Sequence, residues 1–325
     1  MNGRPHIVIT DAATVSRGAG DLDLSVFEQY GSVTAYPLTS RAETAERISD
    51  ADCVLLNKTV LDAEVLKHAP HLRYIGIFAT GYNMIDLDYC RAHGITVSNA
   101  GSYSTDAVAQ TVFSYLLHFA SRTADYNAFV SDGGWKNSPS FSPFVFPTFE
   151  LAGKTLGIFG YGAIGKRVAA LARAFSMRVL AVAHTPKTGC DEETGAVFTD
   201  LDTMLKVSDF VTVHTPLTAE TKELFSRDVF AKMKPGAYFI NTSRGGVIVE
   251  SDLRRALESG HLAGAAVDVL TVEPMAHDCV LFGTPNLIMT PHIAWAPTET
   301  RQRLVGIVTE NLRNFLVGKP THVVS

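Results

Sequence analysis

Short apolar runs and amphipathic stretches alternate along almost the whole chain. HIVIT (6–10), SVTAYPL (32–38), CVLLN (53–57), YIGIFA (74–79) and TVSN (96–99) are too short for helices and predict buried strands. Between them, segments such as TAERIS and LDAEVLKHA carry helix formers with apolar residues three or four apart. Strand and helix in turn imply parallel strands, because a parallel neighbour needs a crossover connection. A second series predicts another open parallel sheet: TLGIFG (155–160), RVLAVA (178–183), FVTVHT (210–215), AYFINT (237–242), GAAVDV (264–269) and LIMTPH (287–292). The expected class is therefore α/β, with two doubly wound sheets.

Between the two series, YSTDAVAQTVFSYLLHFASRTADY (103–126) reads as one long helix with Ser104 or Thr105 as its N-cap. The prolines of GGWKNSPSFSPFVFPTFE (133–150) break any regular element, so that stretch predicts a surface excursion. A last helix, about 299–317, follows the second sheet, and its apolar positions suit packing back on the first. No repeat of fixed period and no low-complexity segment occurs.

A length of 325 residues fits two domains. A charged fraction of 19% and a net charge of −5 supply no basic field, which argues against nucleic acid and anionic membranes as partners. The apolar run of the opening MNGRPHIVIT is too brief for a signal peptide, and no later run is long enough to span a membrane, so a cytoplasmic location is expected. Cys53, Cys90, Cys190 and Cys279 are far apart with no C-x-x-C pair. Reduced, mostly buried thiols and no metal are the expectation.

FGYGAIG (159–165) lies between a predicted strand and a predicted helix, 163–175, the context that gives a G-x-G-x-x-G pattern meaning. Gly160 permits the tight turn, Gly162 lets backbone approach a pyrophosphate, and Gly165 lets the helix pack on the strand. The helix N-terminus would meet the phosphates. A chain that binds NAD usually ends its second strand with an acid for the ribose diol; here stands Ala183, followed by His184, Thr185 and Lys187. Loss of that acid removes repulsion against a 2′-phosphate, and the three polar residues are candidate donors to it; alternatively they form an ordinary polar turn. NAD or NADP is expected, with NADP slightly favoured.

Arg244, Glu273 and His292 each fall just after a late predicted strand, on the side where open parallel sheets bind ligands. Reduction of a 2-oxo acid needs a cation for the carboxylate, a proton donor for the forming alkoxide, and a group that keeps the donor charged. A planar guanidinium suits the first task and a histidine hydrogen-bonded to a carboxylate suits the other two.

Together these motifs resemble the D-isomer-specific 2-hydroxyacid dehydrogenase family over nearly the whole chain. The resemblance rests on LRYIGIFATGYNMIDLDYCRAHGITVSNAGSYSTDAVAQ, LAGKTLGIFGYGAIGKRVA, VTVHTPLTAETKELF, MKPGAYFINTSRGGVIVE and AAVDVLTVEP. YSTDAVAQ and TPHIAWAPTETRQRL are most similar to its glycerate dehydrogenase (hydroxypyruvate reductase) branch. The resemblance implies a Rossmann cofactor domain, 102–292, inserted into a flavodoxin-like substrate domain made of 1–101 and 293–325, with closure about the two crossings. It implies that Arg244 binds the substrate's carboxylate and carbonyl, that Glu273 partners the imidazole and that His292 passes the proton. Ala79, Thr80 and Gly81 would offer N–H groups to the substrate carboxylate. Cofactor contacts would come from Thr80, Ala163, Ile164, Thr215, Thr242, Ser243, Asp268 (to the nicotinamide amide) and Trp295. The implied substrate pairs are hydroxypyruvate with D-glycerate or glyoxylate with glycolate, in a homodimer formed through the long helix and the excursion after it. Phe144, Phe146 and Trp295 leave open a larger 2-oxo acid, or are packing at the dimer contact. A cofactor-sensing corepressor is the remaining alternative. Ser176 stands where the family commonly has Gly.

Overall fold

The computed structural model describes residues 4–18 and 21–325. The chain divides into two compact units, Met1–Ser104 with Ala296–Ser325 and Thr105–Trp295. Each crossing falls three residues later than the resemblance places it.

The first unit is a five-stranded parallel sheet of β1 (His6–Ile9), β2 (Ser32–Ala35), β3 (Cys53–Leu56), β4 (Tyr74–Ile77) and β5 (Thr96–Ser98), in the order β2-β1-β3-β4-β5. β3 and β4 are buried at every position, as their continuous apolar sequence requires when both faces are covered. Helices α1 (Arg41–Arg47), α2 (Ala63–Leu66) and α3 (Leu87–Ala92) form the crossovers. The C-terminal helix, Thr298–Leu316, packs on β4 with the Phe315 ring stacked on Tyr74 at 4.7 Å, so the predicted return to the first sheet occurs. Its buried Arg301 donates to the carbonyls of Val15 and Ala296 and to the carboxylate of Asp21, stitching the two chain segments of this unit together.

In the second unit α4 (Thr105–Ser121) and α5 (Thr123–Ser131) precede a seven-stranded parallel sheet. Its elements are β6 (Thr155–Phe159), α6 (Ala163–Ala174), β7 (Arg178–Val182), β8 (Val197–Phe198), α7 (Leu201–Val207), β9 (Phe210–Val213), α8 (Arg227–Lys232), β10 (Ala237–Asn241), α9 (Glu250–Glu258), β11 (Leu262–Val267) and β12 (Leu287–Met289). The order is β12-β11-β10-β9-β6-β7-β8. The six predicted runs are strands; the two-residue edge strand β8 was not expected. The single long helix expected over 103–126 is two helices, because Arg122 takes a left-handed backbone (φ 50°) and turns the chain. Residues 132–150 form no helix or strand, as their prolines imply. Cys53 and Cys90 are buried, and burial pushes the Cys53 thiol up to about 12, but Cys190 is exposed.

Ser176 closes α6 in a Schellman arrangement, with the Met177 N–H donating to the Ala172 carbonyl (3.0 Å) and the Ser176 N–H to Arg173 (3.0 Å). This geometry needs a left-handed residue at 176, and Ser176 has φ 56°, a conformation that strains side chains bearing a Cβ. Its exposed side chain makes no hydrogen bond among the described residues, so Ser176→Gly is expected to stabilise the protein by about 0.5–1 kcal/mol, read as a higher unfolding midpoint in urea.

Candidate active site

Three adjacent strands build the site. Asn241 of β10 is paired with Val267 of β11, and Val267 with Met289 of β12. Arg244, Asp268 and His292 leave the C-terminal ends of these strands, where crossovers open a crevice.

Asn241 shapes the turn that carries Arg244. Its Nδ2 donates to the Arg244 carbonyl (3.0 Å), and its Oδ1 accepts from the Ser243 N–H (2.9 Å) and hydroxyl (2.8 Å). Gly245 then lies so close to Leu270 that a Cβ would stand 1.9 Å from the Leu270 carbonyl carbon. The Arg244 turn is therefore packed against the turn after β11, which holds the acid: Leu270 N–H donates to Glu273 Oε1 (2.9 Å). Glu273 Oε2 accepts from His292 Nδ1 at 2.7 Å. With one oxygen on backbone and the other on imidazole, the carboxylate is fixed. It accepts only, so Nδ1 carries a hydrogen and Nε2 is the nitrogen left for a reacting group. The pair stays accessible, with 24% of the His292 and 33% of the Glu273 side chain exposed.

His292 has φ 54°, an uncommon value away from glycine that must be over-determined by its surroundings. Its N–H donates to the Asp268 carbonyl at 2.8 Å. The Asp268 carboxylate, only 1% exposed, accepts from the Ile293 N–H (2.9 Å), the Ala294 N–H (2.8 Å) and the Thr290 hydroxyl. Burial raises its pKa, opposed by those hydrogen bonds. The resemblance assigns Asp268 to the nicotinamide amide; the partners it has here belong to the loop that carries His292.

The glycine turn follows β6. A Cβ on Gly160 (φ 99°) would stand 2.4 Å from the His214 carbonyl oxygen, and one on Gly165 would stand 2.2 Å from the Gly160 oxygen, so both are demanded by packing. Gly162 is not: a Cβ there would meet nothing within 4 Å. The space a side chain would fill is kept clear in front of the first turn of α6, where the N–H groups of Ala163, Ile164 and Gly165 precede the first intrahelical bond, Lys166 to Gly162. A pyrophosphate suits that cradle. Along the same edge the buried Oγ1 of Thr242 lacks a hydrogen-bond partner among the described residues. The chain thus fits a dinucleotide, with Thr242, Ser243 and Thr215 following the neighbouring strands β10 and β9.

Ala183, His184 and Thr185 directly follow β7, the last two exposed. Lys187 Nζ rests 5.5 Å from the centroid of the Phe198 ring. Glu220, held below the usual carboxylate range chiefly by the Thr218 hydroxyl, also feels His184. In the first unit, Ala79, Thr80 and Gly81 follow β4. Ala100 N–H donates to the Ala79 carbonyl (2.9 Å), Asn99 Nδ2 to the Thr80 carbonyl (2.7 Å), and the Thr80 hydroxyl to Gly101, tying this loop to the one after β5. Trp295 is half-buried at the end of the second unit. Phe144 is 93% exposed, and Phe146 packs edge-on against Tyr126. Among the described residues no group of acidic, histidine or cysteine side chains could hold a metal ion, and no helix is long and apolar enough to cross a membrane.

Asn241, Thr290 and Tyr115 escaped the sequence reading. The first two sit inside the quoted NTSRGG and TPHIAW stretches, so their adjacency to Arg244 and His292 was a usable signal. Tyr115, on α4, offered none.

His214, beside Thr215, donates to or accepts from Thr212 Oγ1 through Nε2 (3.0 Å), and burial lowers its pKa to about 3. Between pH 6.5 and about 3 the unfolded chain therefore takes up a proton that the folded chain refuses, so stability falls as pH falls through that window. At pH 5 His214→Gln should remove on the order of 1–2 kcal/mol of this acid sensitivity relative to pH 7.5, measured by urea unfolding at both values.

The model of the D-isomer specific 2-hydroxyacid dehydrogenase NAD binding domain matches residues 113–294. Hydroxypyruvate reductase of Blautia hydrogenotrophica is 39% identical over 98% of this chain and 99% of its own. Glyoxylate reductase of Thermococcus litoralis is 39% identical over 86% of this chain and 85% of its own. Among solved structures, an acyclic imino acid reductase in complex with NADPH and D-Arg superposes with a TM-score of 0.84 at 28% identity, covering 98% of this chain and 100% of that one. The strand-end arginine, the glutamate–histidine pair and the glycine turn thus stand in a chain that belongs to the D-isomer specific 2-hydroxyacid dehydrogenase family.

Proposed function

We propose that this oxidoreductase interconverts small 2-oxo acids and D-2-hydroxy acids, with hydroxypyruvate/D-glycerate and glyoxylate/glycolate the leading pairs. The observation that carries the reading is the 2.7 Å His292–Glu273 bond on a turn packed against the one bearing Arg244. Arg244 would hold the substrate carboxylate and carbonyl through its planar fork. The N–H groups of residues 79–81 would add donors to that carboxylate. Glu273 holds the imidazole with Nε2 free to pass a proton to the carbonyl oxygen, or to take it back in the oxidation. A bound nicotinamide supplies or accepts the hydride at C2. The names of the relatives from Blautia and Thermococcus support small substrates.

A panel of hydroxypyruvate, glyoxylate, pyruvate and phenylpyruvate with each reduced cofactor, followed at 340 nm, tests the reading; turnover with none of them would contradict it. The same panel tests cofactor choice. Ala183 in place of an acid, with His184 and Thr185 exposed beside it, supports use of NADPH, and a strong preference for NADH in kcat/KM would overturn that. Lys187 must leave the Phe198 ring to take part.

The reading includes a homodimer. α5 buries none of its residues, and Trp135, Phe141, Phe144 and Val145 are exposed in the stretch after it, a clustering that soluble monomers seldom leave bare. Light scattering should give twice the chain mass; a monomer would refute this part.

A further inference from the structure

The loop that carries His292 is gripped from a second side, by the helix α4. The Tyr115 hydroxyl is hydrogen-bonded to Thr290 Oγ1, and Thr290 Oγ1 to Asp268 Oδ1. Hydrogen counting fixes the direction. The threonine hydroxyl has one hydrogen, and the Asp268 carboxylate oxygens, already turned to two backbone N–H groups, accept it, so Thr290 donates to Asp268 and Tyr115 must donate to Thr290. The line Tyr115→Thr290→Asp268 ends on the carboxylate that also takes the Ile293 and Ala294 N–H groups, while the Asp268 carbonyl takes the N–H of His292. A second tie from α4 is the Thr111 hydroxyl to the Ala294 carbonyl, at 3.4 Å.

We infer that Tyr115 is a positioning residue for His292: its hydroxyl orients Thr290, which holds the Asp268 carboxylate where it can restrain residues 292–294 and so keep His292 in its left-handed conformation. The role fits what surrounds it. Tyr115 is 5% exposed, so its hydroxyl has little access to water as a substitute partner, and burial pushes its pKa up to about 12, which keeps it a donor. A line of hydroxyls pointing one way onto a buried carboxylate strengthens each bond in it. Without the first donor, Thr290 Oγ1 keeps its bond to Asp268 but loses the contact that fixes its rotamer. The inference rests on His292 being the proton donor of the proposed reaction, but the anchoring itself can be measured in the cofactor-free protein.

Tyr115→Phe removes one oxygen and preserves the ring packing. Two readouts are taken on the full-length protein. Amide hydrogen exchange of the cofactor-free protein should quicken about fivefold or more in the peptide covering 290–295, as expected for loss of one buried hydrogen bond, while the β6–β9 core is unchanged. In turnover of a 2-oxo acid, kcat should fall about three- to tenfold with KM for the dinucleotide unaltered. Thr290→Val should reproduce both effects, and the double variant should be no worse than Thr290→Val alone, because the two hydroxyls act in series. Unchanged exchange in 290–295, or exchange that rises equally across the whole unit, overturns the inference, as does a kcat equal to wild type or additive losses in the double variant. If the wild type reduces no 2-oxo acid, it is the functional reading that fails; the exchange and double-variant results still decide whether Tyr115 anchors the loop.

Discussion

His292→Asn should lower kcat by about 10²–10⁴, the range one positioned general acid contributes. Asparagine is chosen for two reasons. Its amide can keep a donor toward Glu273, and among residues with a Cβ it is one of those that best tolerate the left-handed backbone found at 292. The fold should survive and only the titratable nitrogen be lost. Dinucleotide binding, followed by quenching of the tryptophan fluorescence, should be retained because the glycine turn and α6 are untouched. A kcat near wild type would mean that the proton comes from elsewhere.

Arg244→Lys comes next in size. Lysine keeps the positive charge but cannot present two parallel N–H groups to a carboxylate. Losing one or two charge-assisted hydrogen bonds, each about 1.5–3 kcal/mol, lowers kcat/KM for the 2-oxo acid by about 10–10⁴. Most of the loss should appear in KM if Arg244 serves the carboxylate alone, and should extend to kcat if it also contacts the carbonyl oxygen that gains charge. Affinity for the dinucleotide should stay as it was. An unaltered KM for the oxo acid, with unaltered kcat, would remove Arg244 from the substrate site.

What could be read from the chain beforehand follows from the kind of information each feature carries. A buried parallel strand must be apolar at successive positions, so β3, β4 and β9 stand out in one dimension. The glycine turn is equally legible, because the spacing is set within the turn itself: a Cβ on Gly165 would meet the Gly160 oxygen, and Gly160 takes a positive φ. β8 was invisible because two residues cannot display a period. The break at Arg122 was missed for a related reason: apolar spacing continues through it, and only the backbone angle reports the turn. At the site, Arg244, Glu273 and His292 could be named from their places after strands. The clamp on His292 could not, since Tyr115 and Thr290 are 175 residues apart and nothing local in either marks their contact. Asp268 shows the difference most clearly: the resemblance suggested a cofactor ligand, and the geometry adds a carboxylate engaged by its own loop.

Isotope transfer tests the central claim most directly. The enzyme is supplied with hydroxypyruvate and a reduced dinucleotide carrying two deuterium atoms at C4 of the nicotinamide, and the product is analysed by mass spectrometry. If the site carries hydride from the ring to C2 of a 2-oxo acid, glycerate forms with one deuterium at C2, and His292→Asn forms little of it. Glycerate without deuterium, or no glycerate from hydroxypyruvate and no hydroxy acid from the other small 2-oxo acids under the same conditions, would contradict the account.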